Sequence, residues 1–241
     1  MHCAYTAGRS TLALFNAETA FELKSDESPV TAADRGAERI IREQIVRHYP
    51  HEAILGEEEG GAQSGDRWVI DPIDGTKSFV CGVPLYATLL SYEQEGAPVV
   101  GVAYFPALDL MVHAEIGTGA YANGRPIHVS TQTDLKRSVF CVGSHRSLEQ
   151  YGRADGFQKL ARASMATRTW CDAYGHCLVA MGRVEGMIDP IVSPWDLSAV
   201  GLIVEEAGGR FTDFSAKPRP QSEAVSTNGV LHDFVLEQFQ G

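Results

Sequence analysis

Hydrophobic and polar positions change rhythm twice along the chain. Residues 9–23 read as a helix running into a short strand. Thr31-Ala32-Ala33-Asp34 then opens an amphipathic helix, with Ile40, Ile41, Ile45 and Val46 on the apolar side and Arg35, Glu38, Arg39, Arg42 and Glu43 on the solvated side. From residue 53 to about 128 the period shortens to that of strands, at 53–55, 68–70, 86–92, 99–105, 110–115 and 120–122. Turn chemistry at Gln94-Glu95-Gly96-Ala97 and Asn123-Gly124 joins neighbouring runs as hairpins, which predicts an antiparallel meander. The second half alternates. A strand at 138–142 precedes a helix over 148–163, a helix over 173–181 leads to a strand at 184–188, and a helix over 194–207 leads to a strand at 209–212. A helix over 231–239 closes the chain. The pattern predicts an α+β subdomain over 1–132, with the antiparallel sheet, packed closely on an α/β subdomain over 133–241 that completes the site.

Composition narrows the function. Hydrophobic residues at 44% and charged residues at 21% describe a chain that folds, and 31 acids against 20 Lys+Arg leave a formal charge of -11. Such a surface repels the phosphate backbone of a nucleic acid. It does not exclude small phosphorylated substrates, because carboxylates that hold divalent cations reverse the local sign. Five cysteines with no C-x-x-C pair point to reduced thiols and a cytoplasmic protein. The longest uncharged stretch, 78–92, is too short to span a membrane. Neither a nucleic acid nor a membrane is expected as a partner.

The carboxylates carry the chemistry. In Trp68-Val69-Ile70-Asp71-Pro72-Ile73-Asp74-Gly75-Thr76 an apolar strand ends at Pro72, so Asp71 and Asp74 are expected in a rigid turn. Such a turn offers two carboxylates and the Ile73 carbonyl to a hard cation, while Gly75 and Thr76 present N–H groups and a hydroxyl to a phosphate oxygen. An Asx-turn bonded to its own backbone explains the two aspartates equally well. Gly56-Glu57-Glu58-Glu59-Gly60 follows another short strand; it is either a solvated loop or, if the two strands are adjacent, part of the same cation site. Thr31…Asp34 and Ser193-Pro194-Trp195-Asp196 have the form of capping boxes, and their acids serve a cation only if both helices point at it. No Cys stands in a phosphatase-like C-x5-R cradle, and His113, His128, His145 and His176 are isolated, as satisfied surface or core histidines are.

Together, Gly56-Glu57-Glu58, Asp71-Pro72-Ile73-Asp74-Gly75-Thr76, Pro194-Trp195-Asp196 and Glu206-Ala207-Gly208-Gly209 resemble the inositol monophosphatase-like, Mg²⁺-dependent phosphatases, over about residues 7–237. The resemblance implies a layered αβαβα sandwich and a homodimer. It implies two or three Mg²⁺ held by Glu57, Asp71, the Ile73 carbonyl, Asp74 and Asp196, with phosphate on the Gly75 and Thr76 amides. Thr76, with Asp34 or Glu57 behind it, would align a cation-activated water for in-line attack, and a second cation would stabilise the leaving alkoxide.

Several segments are closer to the histidinol-phosphate phosphatase branch than to the inositol enzymes. These are Lys24 through Thr31, Thr76-Lys77-Ser78-Phe79, Gly82-Val83-Pro84-Leu85, Cys171-Asp172-Ala173-Tyr174-Gly175 and Ser226 through Asp233. Histidinol phosphate carries an ammonium and an imidazole, so its pocket should offer carboxylates beyond the metal ligands. Asp172 and Asp189 are the candidates, where inositol enzymes carry a small residue and an acid. Asp172 reads equally as a helix cap and Asp189 as a turn residue, and Arg168 either approaches the substrate or pairs with an acid. The expected activity is hydrolysis of histidinol phosphate. Its rivals are another sugar-phosphate phosphatase of the same fold and a non-catalytic metabolite-binding protein.

Overall fold

The computed structural model describes residues 1–17, 20–24, 29–170 and 172–240. Residues 25–28 and Cys171, which belong to two of the segments named above, lie outside the described residues. The first half contains α1 (His2–Thr11), β1 (Phe21–Leu23), β2 (Pro29–Thr31), α2 (Ala32–His48), β3 (Ala53–Gly56), β4 (Gly60–Gly61), β5 (Arg67–Asp74), α3 (Thr76–Val80), β6 (Ala87–Gln94), β7 (Ala97–Phe105), β8 (Leu110–Glu115), β9 (Gly119–Ala122) and β10 (Arg125–Ile127). The second contains β11 (Val139–Val142), α4 (His145–Gln150), α5 (Ala154–Ala163), β12 (Ala166–Arg168), α6 (Asp172–Ala180), β13 (Gly186–Asp189), α7 (Pro194–Glu206), β14 (Arg210–Thr212), β15 (Ala224–Thr227) and α8 (His232–Glu237).

These elements stack in five layers. Strands β5 to β10 form the expected antiparallel meander, extended by β3, which runs parallel to β5, and by β4. Ala37, Ile41 and Ile45 recur every fourth residue along α2, and with Ala4 and Ala7 of α1 they cover one face of this sheet. On the other face lie α6 and α7, whose Val179, Ala199, Val200 and Ile203 share one core with Leu89, Ala103 and Val112. Beyond them is the second sheet, in the order β12-β11-β13-β15-β14. Leu148, Phe157, Leu160 and Val235, from α4, α5 and α8, close its outer face. The order is αβαβα, as the resemblance implied. Because α6 and α7 are covered on both sides, they are apolar nearly all round rather than along one stripe.

Four expectations need correction. The first helix occupies His2–Thr11 rather than starting near residue 9, and Asn16 at φ 60 turns the chain after it. The helix expected over 148–163 is two, because the chain breaks at Gly152, φ 69. On α2, Glu38 is fully buried rather than solvated, and Val46 is exposed.

The fourth correction bears on the site. Asp71 and Asp74 do not follow the strand in a turn; β5 runs through both. Pro72 has no N–H to give the ladder, and the register shifts there: Asp71 faces Leu89 while Asp74 faces Ala87, so three steps on β5 match two on β6. The Pro72 carbonyl is satisfied by Thr88 Oγ1 at 2.9 Å. In a regular strand, residues three apart point to opposite faces. The extra residue of this bulge turns both carboxylates to the same side.

Candidate active site

Two helices, two strands and the loop after β3 deliver acids to one cavity of about 460 Å³. Because β3 lies parallel to β5 with Gly56 opposite Ile70, the chain leaves the sheet with Glu57 beside Asp71. Oxygens of Asp71, Asp74 and Asp196 lie within 4.8 Å of one another, with Asp71 and Asp74 buried and Asp196 half-buried. Asp196 Oδ2 accepts from the Ser193 amide at 2.7 Å, which completes the predicted capping box. It is both cap and site residue, because α7 starts at the cavity. Asp74 Oδ2 accepts from the Ala173 amide at 2.7 Å, so the start of α6 fixes one Asp74 oxygen.

Crowding of this kind raises the proton affinity of all three aspartates. Burial, followed by the charges of Glu57, Asp74 and Asp196, holds the Asp71 carboxyl well above the usual carboxylate range. Burial and then Asp172 and Asp196 do the same for Asp74. Asp196 is pushed up to about 7, again chiefly by burial, against the lowering effect of the Ser193 amide. Asp71 Oδ1 is buried with no hydrogen-bond partner among the described residues. An orphaned carboxylate oxygen amid further carboxylates suits a hard divalent cation, so the donor set fits Mg²⁺.

Around this cluster the remaining predicted residues are unevenly placed. Asp34 is fully buried, and its Oδ2 accepts from Thr31 N and Oγ1 at 2.8 and 2.6 Å. That leaves Oδ1 facing the Thr76 hydroxyl, at 3.3 Å. Burial raises the Asp34 carboxyl, offset in part by the Thr31 bonds. Thr76 Oγ1 also lies 3.1 Å from the Ile73 carbonyl. Gly75, at φ 80, needs to be glycine twice over: a Cβ there would stand 2.8 Å from Asp172 Oδ2. Asp172 and Asp189 both line the cavity. Arg168 does not; its Nη1 donates to the Thr167 carbonyl at 2.8 Å and its guanidinium lies 5.9 Å from the Trp170 ring centre. Among the described residues it forms no ion pair with an acid. Glu57 stands slightly apart from the three aspartates, paired with Lys24 Nζ at 2.7 Å, as is Glu58 at 2.6 Å. Cys141 is buried in the core, its thiol pushed up to about 12 by that burial, so it is no nucleophile.

Two residues act on the site without having been singled out for it. Glu38, one turn after Asp34 on α2, accepts from the Glu58 and Glu59 amides at 2.8 and 3.1 Å and from Arg42 Nε at 2.8 Å. Arg42 Nη2 in turn donates to the Gly60 carbonyl at 2.6 Å. The pair grips the loop that carries Glu57. Its only trace in the sequence is the i, i+4 spacing of opposite charges, which a solvated helix face shows as well. Glu38→Gln should lower stability by about 2–3 kcal/mol through loss of a buried charge pair. It should also weaken half-saturation by Mg²⁺ about tenfold or more, as outer-shell changes do. Thermal melts and Mg²⁺ titration of activity check both; an unaltered Mg²⁺ dependence would reject the positioning role. The second residue, His176, is buried and satisfied as expected of a core histidine, but one of its partners is Asp189.

The sequence profile of the inositol monophosphatase family matches residues 2–241. The chain belongs to this family. It is a family of metal-dependent phosphatases. Among curated relatives, a histidinol-phosphatase of Chlorobaculum parvum is 42% identical over 212 residues, 87% of this chain and 79% of the relative. A histidinol-phosphatase of Streptomyces coelicolor is 40% identical over 245 residues, 97% of this chain and 92% of the relative. Among solved structures, the IMPase of Thermotoga maritima superposes with a TM-score of 0.92 at 31% identity, covering 99% of this chain and 94% of that one. Among the described residues no helix is long and apolar enough to cross a membrane.

Proposed function

We propose that this protein hydrolyses histidinol phosphate to histidinol and inorganic phosphate. The observation that carries the substrate is the pair Asp172 and Asp189, which line the same cavity as the three clustered aspartates. Two acids beyond the cation ligands suit a substrate whose alcohol half bears an ammonium and an imidazole. The 40–42% identity to histidinol-phosphatases supports the same reading.

In this reading Glu57, Asp71, the Ile73 carbonyl, Asp74 and Asp196 hold two or three Mg²⁺. Bound there, the cations supply Lewis acidity to the water and to the phosphate oxygens. The protein supplies orientation. Thr76 Oγ1 directs its proton at Asp34 Oδ1 or the Ile73 carbonyl, which leaves its lone pairs to accept from an attacking water. Thr31 fixes Asp34 from behind through two bonds to Oδ2. The Gly75 and Thr76 amides, at the cavity wall, receive the phosphate. A cytoplasmic location and a homodimer complete the proposal, the first supported by five cysteines without a C-x-x-C pair and the second by the family alone.

Specificity is tested by kcat/KM for histidinol phosphate and inositol 1-phosphate under saturating Mg²⁺. At least a tenfold preference for histidinol phosphate is expected; equal values would remove the assignment. Asp172→Ala should raise KM for histidinol phosphate about tenfold, the loss of one charge-assisted bond, and should affect glycerol 2-phosphate less. Equal losses on the two esters would return Asp172 to a purely structural role at the head of α6.

A further inference from the structure

A chain of three buried polar side chains runs from the second sheet to the cavity wall. Ser226 on β15 is fully buried, His176 on α6 is 2% exposed, and Asp189 at the end of β13 is 7% exposed. His176 Nδ1 lies 2.8 Å from Ser226 Oγ, and Nε2 lies 3.1 Å from Asp189 Oδ2. The Phe211 ring meets the imidazole edge-to-face, with ring centres 5.5 Å apart, which limits rotation of the imidazole. Across the cavity wall, a Cβ at Gly143 would collide with Asp189 Oδ1; the glycine leaves that oxygen its space. The two oxygens of Asp189 therefore have different surroundings. Oδ2 is tied into the core by the histidine, and Oδ1 lies on the side of Gly143, itself a lining residue of the cavity.

We infer that His176 is a positioning residue for substrate recognition: it donates Nε2–H to Asp189 Oδ2 and so holds the carboxylate with Oδ1 turned toward the cationic half of the substrate. With the Ser226 hydroxyl donating to Nδ1 and Nε2–H donating to Asp189 Oδ2, a single imidazole hydrogen is enough to satisfy both contacts. The arrangement is that of an outer partner fixing the orientation of a contacting group. It rests on the proposal that Asp189 meets a cationic substrate. The local sequence carries no sign of it, because the three residues are far apart along the chain and meet only where α6 packs across the paired strands β13 and β15.

The test compares kcat and KM for histidinol phosphate and for glycerol 2-phosphate, whose alcohol is uncharged, in the full-length Mg²⁺-loaded enzyme. Calorimetric titration with histidinol gives a binding readout independent of turnover. His176→Phe keeps the ring volume and removes both bonds. It should raise KM for histidinol phosphate and weaken histidinol binding by about tenfold or more, the usual effect of losing a bond to a charged group, with the change concentrated in KM rather than kcat. The KM increase on glycerol 2-phosphate should be at least fivefold smaller. His176→Gln, whose amide accepts from Ser226 and donates to Asp189, should recover most of the loss. If the phenylalanine variant fails to fold, His176→Asn replaces it: its shorter amide keeps the Ser226 contact and loses only Asp189. Equal losses on both esters, or no rescue by Gln, overturn the positioning role. Asp189→Asn separates the two levels of the argument. If it leaves KM for histidinol phosphate unchanged, the recognition role of Asp189 falls and the inference with it. If it raises that KM while the His176 variants do not, only the inference falls.

Discussion

Asp74→Asn should release phosphate at about a thousandth of the wild-type rate or less, from a protein that folds normally. Asp74 has two jobs on two oxygens. Oδ2 accepts the Ala173 amide at the start of α6, and the carboxylate also belongs to the cluster with Asp71 and Asp196. Asparagine can keep the first job, since its carbonyl oxygen also accepts from an amide. It cannot keep the second, because a neutral amide is a much poorer ligand for a hard cation. Losing several kcal/mol of cation-borne stabilisation in the transition state corresponds to a thousandfold or more in rate. Stability should move the other way: one charge fewer in a buried acidic cluster makes the cation-free fold easier to hold together. Circular dichroism with steady-state kinetics checks both halves. Turnover close to wild type would remove Asp74 from the cation site, and an unfolded variant would show that its structural bond dominates.

Stripping the protein of divalent cations with EDTA should make its melting temperature fall as pH rises from 5 to 8. The sign follows from the direction of the shifts. An aspartate in the unfolded chain titrates near 4, whereas folded Asp196 is held up to about 7, and Asp71 and Asp74 are shifted in the same direction. Between the two values the native state binds more protons than the unfolded state, so stability declines as pH rises through that window. The expected drop is on the order of 5–10 °C for a chain of this size. Millimolar Mg²⁺ should reverse it, with the largest gain at pH 8, where the ligands are ionised and binding to the native state stabilises it by mass action. A melting temperature that rises with pH in EDTA, or ignores Mg²⁺ at pH 8, would contradict the electrostatic account of the cluster.

Much of this site was legible in the sequence, and the remainder was hidden for identifiable reasons. Asp34 and Asp196 were recognisable as capping-box acids, because caps are written in four consecutive residues. That both helices open at one cavity depends on how α2 and α7 dock on opposite faces of the first sheet, which no local pattern records. Asp71 and Asp74 were legible as carboxylates of one cluster and misplaced in geometry: Pro72 usually ends a strand, yet here β5 accommodates it as a bulge. Burial of Glu38 was hidden because its partners are backbone amides about twenty residues away. The meander of β6 to β9 was readable from period and turns alone, while β12 and β15 were not read as strands. The five-layer stacking came from family resemblance, since periodicity gives elements and not their order in space.

The formal charge of -11 is thus unevenly distributed, with Asp34, Glu57, Asp71, Asp74, Asp172, Asp189 and Asp196 gathered about one cavity. We expect this acidity to bind phosphate through cations. The most direct measurement is inorganic phosphate released from histidinol phosphate by the wild-type protein, first in EDTA and then with Mg²⁺ restored in excess. Release at background in EDTA and recovery of turnover with Mg²⁺ are expected. Undiminished release in EDTA, or none at all with Mg²⁺, would contradict that expectation.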